Sequence, residues 1–506
     1  MPTLSLAKNN RMFISNISQI ESLQGYYRKD ESYSFPICGD IIRRLLLSVP
    51  GLLLDPLLQA AISKILVSQK ETIRIREQED CDGDPNLYPY QRIGVAWLKR
   101  VKRAILADDV GLGKTLVSLV AAREVKPKRT LIICSKVKRK DWAEHVEKWM
   151  KSPFMVALNN HDWNVWPGVL ITNYDTAVSH MDHLRKANLV IVDECHKIRN
   201  RKTQVWKAIK QICRGPEYVF LLTASPTVNS ASDLWTLLNI CDPKRFGSYW
   251  GMAFRFYEII QEFMGIKVGS IRKEEEENFK RILTPYVLSR SDKLDLPIPK
   301  YHTINYELSG EQERIYNEMN RTGITTYEGR TVEALLQLSQ TTRLIQIAIS
   351  PYMIFPQYIG PSKLDLLPEI VGDKKVLIFS RFAEIIKLLP GYLSSCVTLT
   401  GDLNEAKRQK SISSFKQGEA QVLGLTYGIG GESLDLAEAS GVILLDYPWH
   451  TAGMNQAIGR ILRHGQKAEK VEVISIYAGQ TIEKHIRDIV QEKKRVTIKE
   501  ILRRST

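Results

Sequence analysis

Gly111, Gly113, Lys114 and Thr115 close the segment AILADDVGLGKT, which runs from Ala104 to Thr115. Ala104, Ile105, Leu106 and Ala107 make a short apolar run suited to a buried strand, and the glycines after it let backbone N–H groups crowd around an anion. A helix expected from Leu116 to Glu124 aims its positive end at that anion, with Lys114 and Thr115 placed to reach phosphate and Mg2+. This is the layout of a phosphate-binding P-loop. Asp108 departs from the generic pattern, which has glycine six residues before the lysine, and Asp109 adds a second acid beside it. GLGKT also arises as a chance loop, so partners elsewhere in the chain must support it.

Two such partners stand downstream. LVIVDECH, Leu189 to His196, is an apolar run that delivers Asp193 and Glu194 at the carboxyl end of a strand, the edge where open α/β sheets bind ligands. Asp193 is suited to hold Mg2+ through its waters and Glu194 to orient and deprotonate an attacking water. QAIGRILRHGQ, Gln456 to Gln466, places Arg460 and Arg463 on one helix face, where arginines stabilise charge spread over a transferred phosphoryl group.

The elements that must position these groups are legible as two series. Short apolar runs at 104–107, 130–134, 168–172, 189–193 and 218–223 alternate with amphipathic helical stretches, and a second series follows at 375–380, 397–399, 421–426, 441–446 and 471–477. Alternation of this kind predicts two parallel sheets covered by helices. The pattern divides the chain into an accessory region (1–82), a first lobe (83–238), a mostly helical insertion with a lobe-joining segment (239–366), a second lobe (367–490) and a basic tail (491–506). Residues 1–82 suit either a small accessory domain or a helical brace, with a charged, linker-like exit at 69–84. Arg272 to Lys280 reads as a solvated charged helix face.

The totals are 71 Lys+Arg against 56 Asp+Glu, a net charge of +15, which favours a polyanionic partner such as nucleic acid. Seven scattered cysteines, none in CxxC spacing, read as reduced thiols in a cytosol-like compartment. No zinc-ligand spacing is present, and the most apolar stretch, Leu45 to Leu66, is broken by Pro50, Gly51, Asp55 and Pro56, so neither a structural zinc nor a membrane span is expected.

Taken together the motifs resemble the Swi/Snf family of superfamily-two helicase-like ATPases from about Leu87 to Lys494. LYPYQRIGVAWL (Leu87 to Leu98) is similar to its Q motif and DDVGLGKT to its motif I, where an acid does stand at the position of Asp108. The stretch from Thr130 to Trp149 resembles motif Ia, ITNYDT the next DNA-facing motif, DECH motif II and Leu221 to Ser230 motif III. PYVLSRSDKLDLPIPK (Pro285 to Lys300) is like the family's lobe-joining segment, and KVLIFSRF, Thr400 to Asp402, GIGGESLDL and QAIGRILRHGQ resemble motifs IV to VI. Cys195, Ser433 and Leu462 depart from the family's usual Ala, Gly and His.

The resemblance implies an α/β protein with two RecA-like parallel-sheet lobes, helical insertions and ATP with Mg2+ bound between the lobes. It assigns ATP to Gln91 (reading adenine), Asp108, Asp109, Val110, Gly111, Leu112, Gly113, Lys114 and Thr115, metal to Thr115 and Asp193, and catalysis to Lys114, Glu194, Arg460 and Arg463. DNA, double-stranded for preference, is expected against Lys136, Lys138, Arg139 and Lys140 in the first lobe and Ser380, Arg381, Thr426 and Trp449 in the second. The implied activity is ATP-driven translocation on duplex DNA. A strand-separating or annealing helicase, or a nucleotide-bound DNA scaffold without turnover, are the alternatives. Little length remains beyond the motor, which favours a bacterial or viral cytoplasmic protein over a nuclear remodeller.

Overall fold

The computed structural model describes residues 3–6, 11–15, 32–36, 52–109, 111–157, 163, 165–223, 231–262, 265–290, 297–308, 310–430, 434, 436–448, 451–462, 466 and 468–493. The chain forms two compact units, Met1–Lys293 with Val496–Thr506, and Leu294–Arg495. Each is built on its own parallel sheet.

The first unit opens with a small sheet of β1 (Thr3–Leu6), β2 (Arg11–Ser15), β3 (Ser32–Pro36) and β4 (Leu53–Leu54), in the order β3-β2-β1-β4. A 22-residue helix, Pro56–Glu77, follows and packs on the helix Pro89–Val101. The linker-like exit is instead the end of that helix and a pinned loop: Asp80 pairs with Arg92, and Asp84 with Arg123 at 2.7 Å. Local charge density reads the same in a linker and in a loop whose acids meet basic residues from other helices.

The main sheet contains β5 (Arg103–Leu106), β6 (Thr130–Cys134), β7 (Phe154–Val156), β8 (Val169–Asn173), β9 (Leu189–Val192) and β10 (Tyr218–Leu222). A hairpin, β11 (Tyr257–Glu262) and β12 (Gly265–Ile271), precedes the last member, β13 (Val287–Leu288). All pairings are parallel in the order β13-β5-β10-β9-β6-β8-β7. Because strand side chains alternate, Ile105, Ile133, Val190 and Leu221 enter one core while Leu106, Ile132, Ile191 and Phe220 enter the other. Both faces are dry, which is why these strands read as unbroken apolar runs.

The second unit holds β14 (Lys300–Tyr306), a hairpin of β15 (Ile324–Tyr327) and β16 (Arg330–Glu333), then β17 (Val376–Ser380), β18 (Cys396–Leu399), β19 (Val422–Thr426), β20 (Gly441–Leu444) and β21 (Glu472–Ala478). Its six-stranded parallel sheet runs β14-β21-β20-β17-β19-β18. The stretch 239–366, helical by pattern, thus also contains two hairpins. The β15–β16 turn is formed by Glu328 (φ 45°) and Gly329 (φ 78°), the two positive φ values that a tight hairpin demands.

A fully buried ion pair fastens the closing helix Ile482–Lys493 to this sheet. Lys363 Nζ meets Glu483 Oε1 at 2.8 Å and Oε2 at 2.6 Å, and donates to the carbonyls of Leu445 and Ile476, both at 3.1 Å. The Ala478 N–H donates to Glu483 Oε2 at 2.8 Å. Every polar atom in the pair is thereby satisfied, as burial at this depth requires.

Candidate active site

The glycine loop leaves β5 at its carboxyl end and runs into the helix Lys114–Val125, whose cap is Gly113 in the left-handed region at φ 78°. A side chain at Gly113 is excluded twice over: a Cβ there would lie 2.5 Å from Gln91 Nε2, and the positive φ disfavours it. Gln91 is buried and bridges two segments, accepting from the Tyr88 N–H at 3.1 Å and donating to the Leu112 carbonyl at 3.3 Å. Lys114 Nζ donates to the carbonyls of Asp108 and Asp109, both at 2.9 Å. Burial holds its ammonium below the usual lysine range, against the pull of Glu194, Asp108 and Asp193.

Asp108 does not face the loop's interior. Its carboxylate is fully buried and gripped by Arg290: Nε donates to Oδ1 at 3.0 Å, the Arg290 N–H donates to Oδ1 at 3.0 Å, and Nη2 binds Oδ2. Arg290 also donates to the Tyr90 carbonyl and stacks its guanidinium 5.5 Å from the Tyr90 ring centroid. Gly94 makes room for it, since a Cβ there would stand 2.9 Å from Arg290 Nη2. Asp108 thus ties the glycine loop to the strand end after β13, through Arg290, a residue that the sequence alone does not single out.

Asp193 and Glu194 follow β9, separated from β5 in the sheet only by β10. Glu194 takes φ 52°, a left-handed turn that costs a non-glycine residue about 1 kcal/mol or more and is held by its surroundings. The Tyr174 hydroxyl donates to the Asp193 carbonyl at 2.5 Å, and Trp142 Nε1 to Asp193 Oδ2 at 3.0 Å. Tyr174 is aimed by the helix Tyr174–Ser179, which Asn173 caps by accepting from the N–H groups of Asp175 (3.0 Å) and Thr176 (3.2 Å). The two family-like motifs at Trp142 and at Asn173–Tyr174 thus serve here as supports for the acid pair. Burial raises the Glu194 carboxyl, but His196, 3.2 Å away, with Lys138 and Lys114, outweighs it and holds the group well below its ordinary value.

Lys138 departs from expectation. Instead of facing DNA, its Nζ lies inside, 3.2 Å from Asp193 Oδ2 and 3.2 Å from Glu194 Oε1. Lys136 and Lys140 are exposed, the former paired with Asp175 at 3.0 Å, and Arg139 is partly buried with Nε donating to the Lys136 carbonyl at 3.0 Å. Ser380 is likewise no surface contact: it is fully buried and donates to Asp446 Oδ2 at 2.5 Å. Arg381 binds the same carboxylate, Nε to Oδ1 at 3.1 Å, and the Tyr447 carbonyl. Asp446 gathers both because it closes β20 beside the end of β17. Thr426, at the end of β19, is partly exposed.

Arg460, in the second unit, is buried, with Nη1 donating to the Leu434 carbonyl at 3.3 Å. Arg463, Trp449, Val110 and Ser433, with residues 224–230 of the motif III stretch, lie outside the described residues. The donor set fits Mg2+. Asp193 offers a hard carboxylate and Thr115 a hydroxyl, and Mg2+ is ordinarily held by one or two such groups plus substrate phosphates. Asp193 Oδ1 accepts no hydrogen bond from the described residues, whereas Oδ2 takes two donors. No helix among the described residues is long and apolar enough to cross a membrane.

A strand, a glycine loop capping a helix, and a carboxylate pair one strand away define a protein of the P-loop class. The chain belongs to the SNF2-related family: the SNF2-related domain matches residues 90–352, and the helicase conserved C-terminal domain matches residues 362–465. It is similar to a probable chromatin-remodeling complex ATPase chain of Oryza sativa subsp. japonica, 26% identical over 78% of this chain and 39% of that protein. A chromodomain-helicase-DNA-binding protein 3 homolog of Caenorhabditis elegans is 24% identical over 81% of this chain and 26% of that one. The chain thus spans well under half the length of these relatives. It covers more, 75%, of the uncharacterized ATP-dependent helicase YqhH of Bacillus subtilis, at 24% identity over 77% of this chain. The Sulfolobus solfataricus SWI2/SNF2 ATPase core in complex with dsDNA aligns at 23% identity and TM-score 0.41, covering 84% of this chain and 95% of that one.

Proposed function

We propose that this chain is an ATP-driven motor that hydrolyses ATP with Mg2+ and translocates on double-stranded DNA, remodelling DNA or protein–DNA complexes. The observation that carries the reading is the placement of Lys114 and the Asp193–Glu194 pair at the carboxyl edge of one parallel sheet with a single strand between their parent strands. Lys114 exchanges the carbonyls of Asp108 and Asp109 for phosphate oxygens, and the loop's backbone N–H groups take the rest of the charge. Mg2+, when bound, neutralises phosphate charge. Glu194, kept ionised by its cationic neighbours, orients and polarises the attacking water, a task that needs a fixed acceptor more than a strong base. Arg460 and Arg463 supply positive charge toward the transferred phosphoryl group.

DNA contact rests on the net charge and on relatives named as DNA-binding helicases. Lys136, Arg139, Lys140, Thr426 and Trp449 remain its proposed contacts, neutralising phosphates without reading sequence. ATP turnover measured in parallel with single-stranded DNA, duplex, forks and RNA tests the reading. Duplex-stimulated turnover with displacement of a triplex strand supports it; fork separation without triplex displacement favours a helicase, and stimulation by RNA alone overturns it. Lys114→Ala or Glu194→Gln should cut turnover at least about 100-fold while DNA binding survives; turnover persisting in either variant refutes the assigned site.

A further inference from the structure

Of the four basic residues between Lys136 and Lys140, one turns inward, and it reaches the chemistry. The short turn Lys136–Lys138 follows β6, closed by the Lys138 N–H donating to the Ser135 carbonyl at 3.1 Å. That turn aims the Lys138 side chain, only 10% exposed, between two carboxylates that are themselves 9% and 17% exposed. Two buried acids side by side repel one another unless a cation stands between them. Here the chain supplies that cation itself.

We propose that Lys138 is a tethered counter-cation of the Asp193–Glu194 pair, which competes with Mg2+ for these carboxylates and withdraws when metal and nucleotide arrive together. The proposal rests on the assignment of Asp193 as the metal-facing carboxylate. A divalent ion on Asp193 Oδ1 would stand only a carboxylate's width from the ammonium on Oδ2 and meet strong like-charge repulsion at low local dielectric. Trp142 Nε1, on Asp193 Oδ2, stays compatible with either occupant because it is a neutral donor. Withdrawal needs no backbone rearrangement, since a lysine has a flexible four-carbon stem and can carry its charge to solvent. The consequence is an order of binding. Free metal is excluded from the empty site, and metal enters on the nucleotide, whose phosphates offset the charge that Lys138 opposes.

The test uses the full chain and Mn2+ as the probe, with free Mn2+ followed by electron paramagnetic resonance in the absence of nucleotide. Lys138→Met should bind Mn2+ at least about tenfold more tightly than the parent, and should also lower the Mg2+ concentration that half-saturates ATP hydrolysis. Lys138→Arg, which keeps the charge, should stay within about threefold of the parent. Unchanged or weaker Mn2+ binding in Lys138→Met overturns the proposal. If that variant does not fold metal-free, its melting temperature is followed against Mn2+: a steeper rise than the parent's supports the proposal, and an equal or smaller one overturns it. If it stays unfolded at every Mn2+ concentration, Lys138→Arg decides, and a tenfold gain in affinity with the charge retained overturns it while parent-like binding supports it. Asp193→Asn separates the two levels of inference. Mn2+ binding retained there refutes the metal assignment, whereas binding lost there with Lys138→Met unaltered refutes the counter-cation alone.

Discussion

Replacing Arg290 by Met removes the cation that holds Asp108 and leaves a fully buried carboxylate beside the glycine loop. Of the hydrogen bonds that the described residues make to that carboxylate, only that of the Arg290 backbone N–H, 3.0 Å from Oδ1, survives the change. Two charge-assisted hydrogen bonds and the contact with the Tyr90 carbonyl are lost together. Breaking a buried pair from one side costs about 3–5 kcal/mol, which lowers the melting temperature of a unit of about 300 residues by roughly 5–8 °C. Asp108→Asn keeps the shape and one acceptor, so its cost should be smaller, about 1–3 kcal/mol. The double variant Asp108→Asn/Arg290→Met should be more stable than the two single costs added together, because neither leaves the other's charge stranded. Differential scanning calorimetry on the four proteins reads the stability, and ATP KM well below the melting point reads the site. An anchor predicts that Asp108→Asn melts early while its KM stays within about threefold of the parent. The anchor role is refuted if Asp108→Asn melts with the parent while its KM rises tenfold, for the carboxylate would then be a nucleotide ligand, as the sequence had led one to expect.

Three further outcomes follow from the same structure. In the second lobe, Lys363→Met or Glu483→Gln should each destabilise by about 3–5 kcal/mol, and Lys363→Met/Glu483→Leu should recover most of that in chemical denaturation; equal losses in all three proteins would mean that the pair contributes through shape alone. The Arg123 hydrogen bond pulls the Asp84 carboxyl down to about 2, so the pair's stabilisation is complete above the unfolded carboxylate's ordinary value and fades as pH falls toward 2. The stability gap between the parent and Asp84→Asn, no more than about 2 kcal/mol near neutrality, should therefore shrink between about pH 5 and pH 3 in urea titrations, and a gap constant over that range argues against the ion pair. Lys136→Ala and Lys140→Ala should each reduce the slope of log affinity for duplex DNA against log salt by about 1, measured by fluorescence anisotropy, while Lys138→Met leaves the slope alone. A slope that responds to Lys138 and not to Lys140 would reverse their assigned faces.

The sequence by itself determined what short-range chemistry governs. A dry parallel strand must be apolar on both faces, so β5, β6, β8, β9 and β10 and their counterparts β17, β19, β20 and β21 stand out as runs within a residue or so of their ends. The glycine loop is equally local, because the φ of 78° at Gly113 and the start of its helix are set by neighbours in the chain. The acid pair stood out as two carboxylates directly after an apolar run, and the family came from the resemblance of the motifs taken in order. The β15–β16 hairpin carried a local signal too, the Glu328–Gly329 turn between Thr-rich strands, which the helical reading of the region overlooked. Only the tertiary structure decided which partner each charge meets. Arg290 finds Asp108 across 182 positions, Lys363 finds Glu483 across 120, and Lys138 finds Asp193 across 55. The same lysine is a solvated surface cation in one backbone direction and a buried counter-ion in the other, and the difference lies in how the turn after β6 points it, not in its neighbours along the chain. Charge type is written in the residue; its electrostatic role is set by the fold that desolvates it.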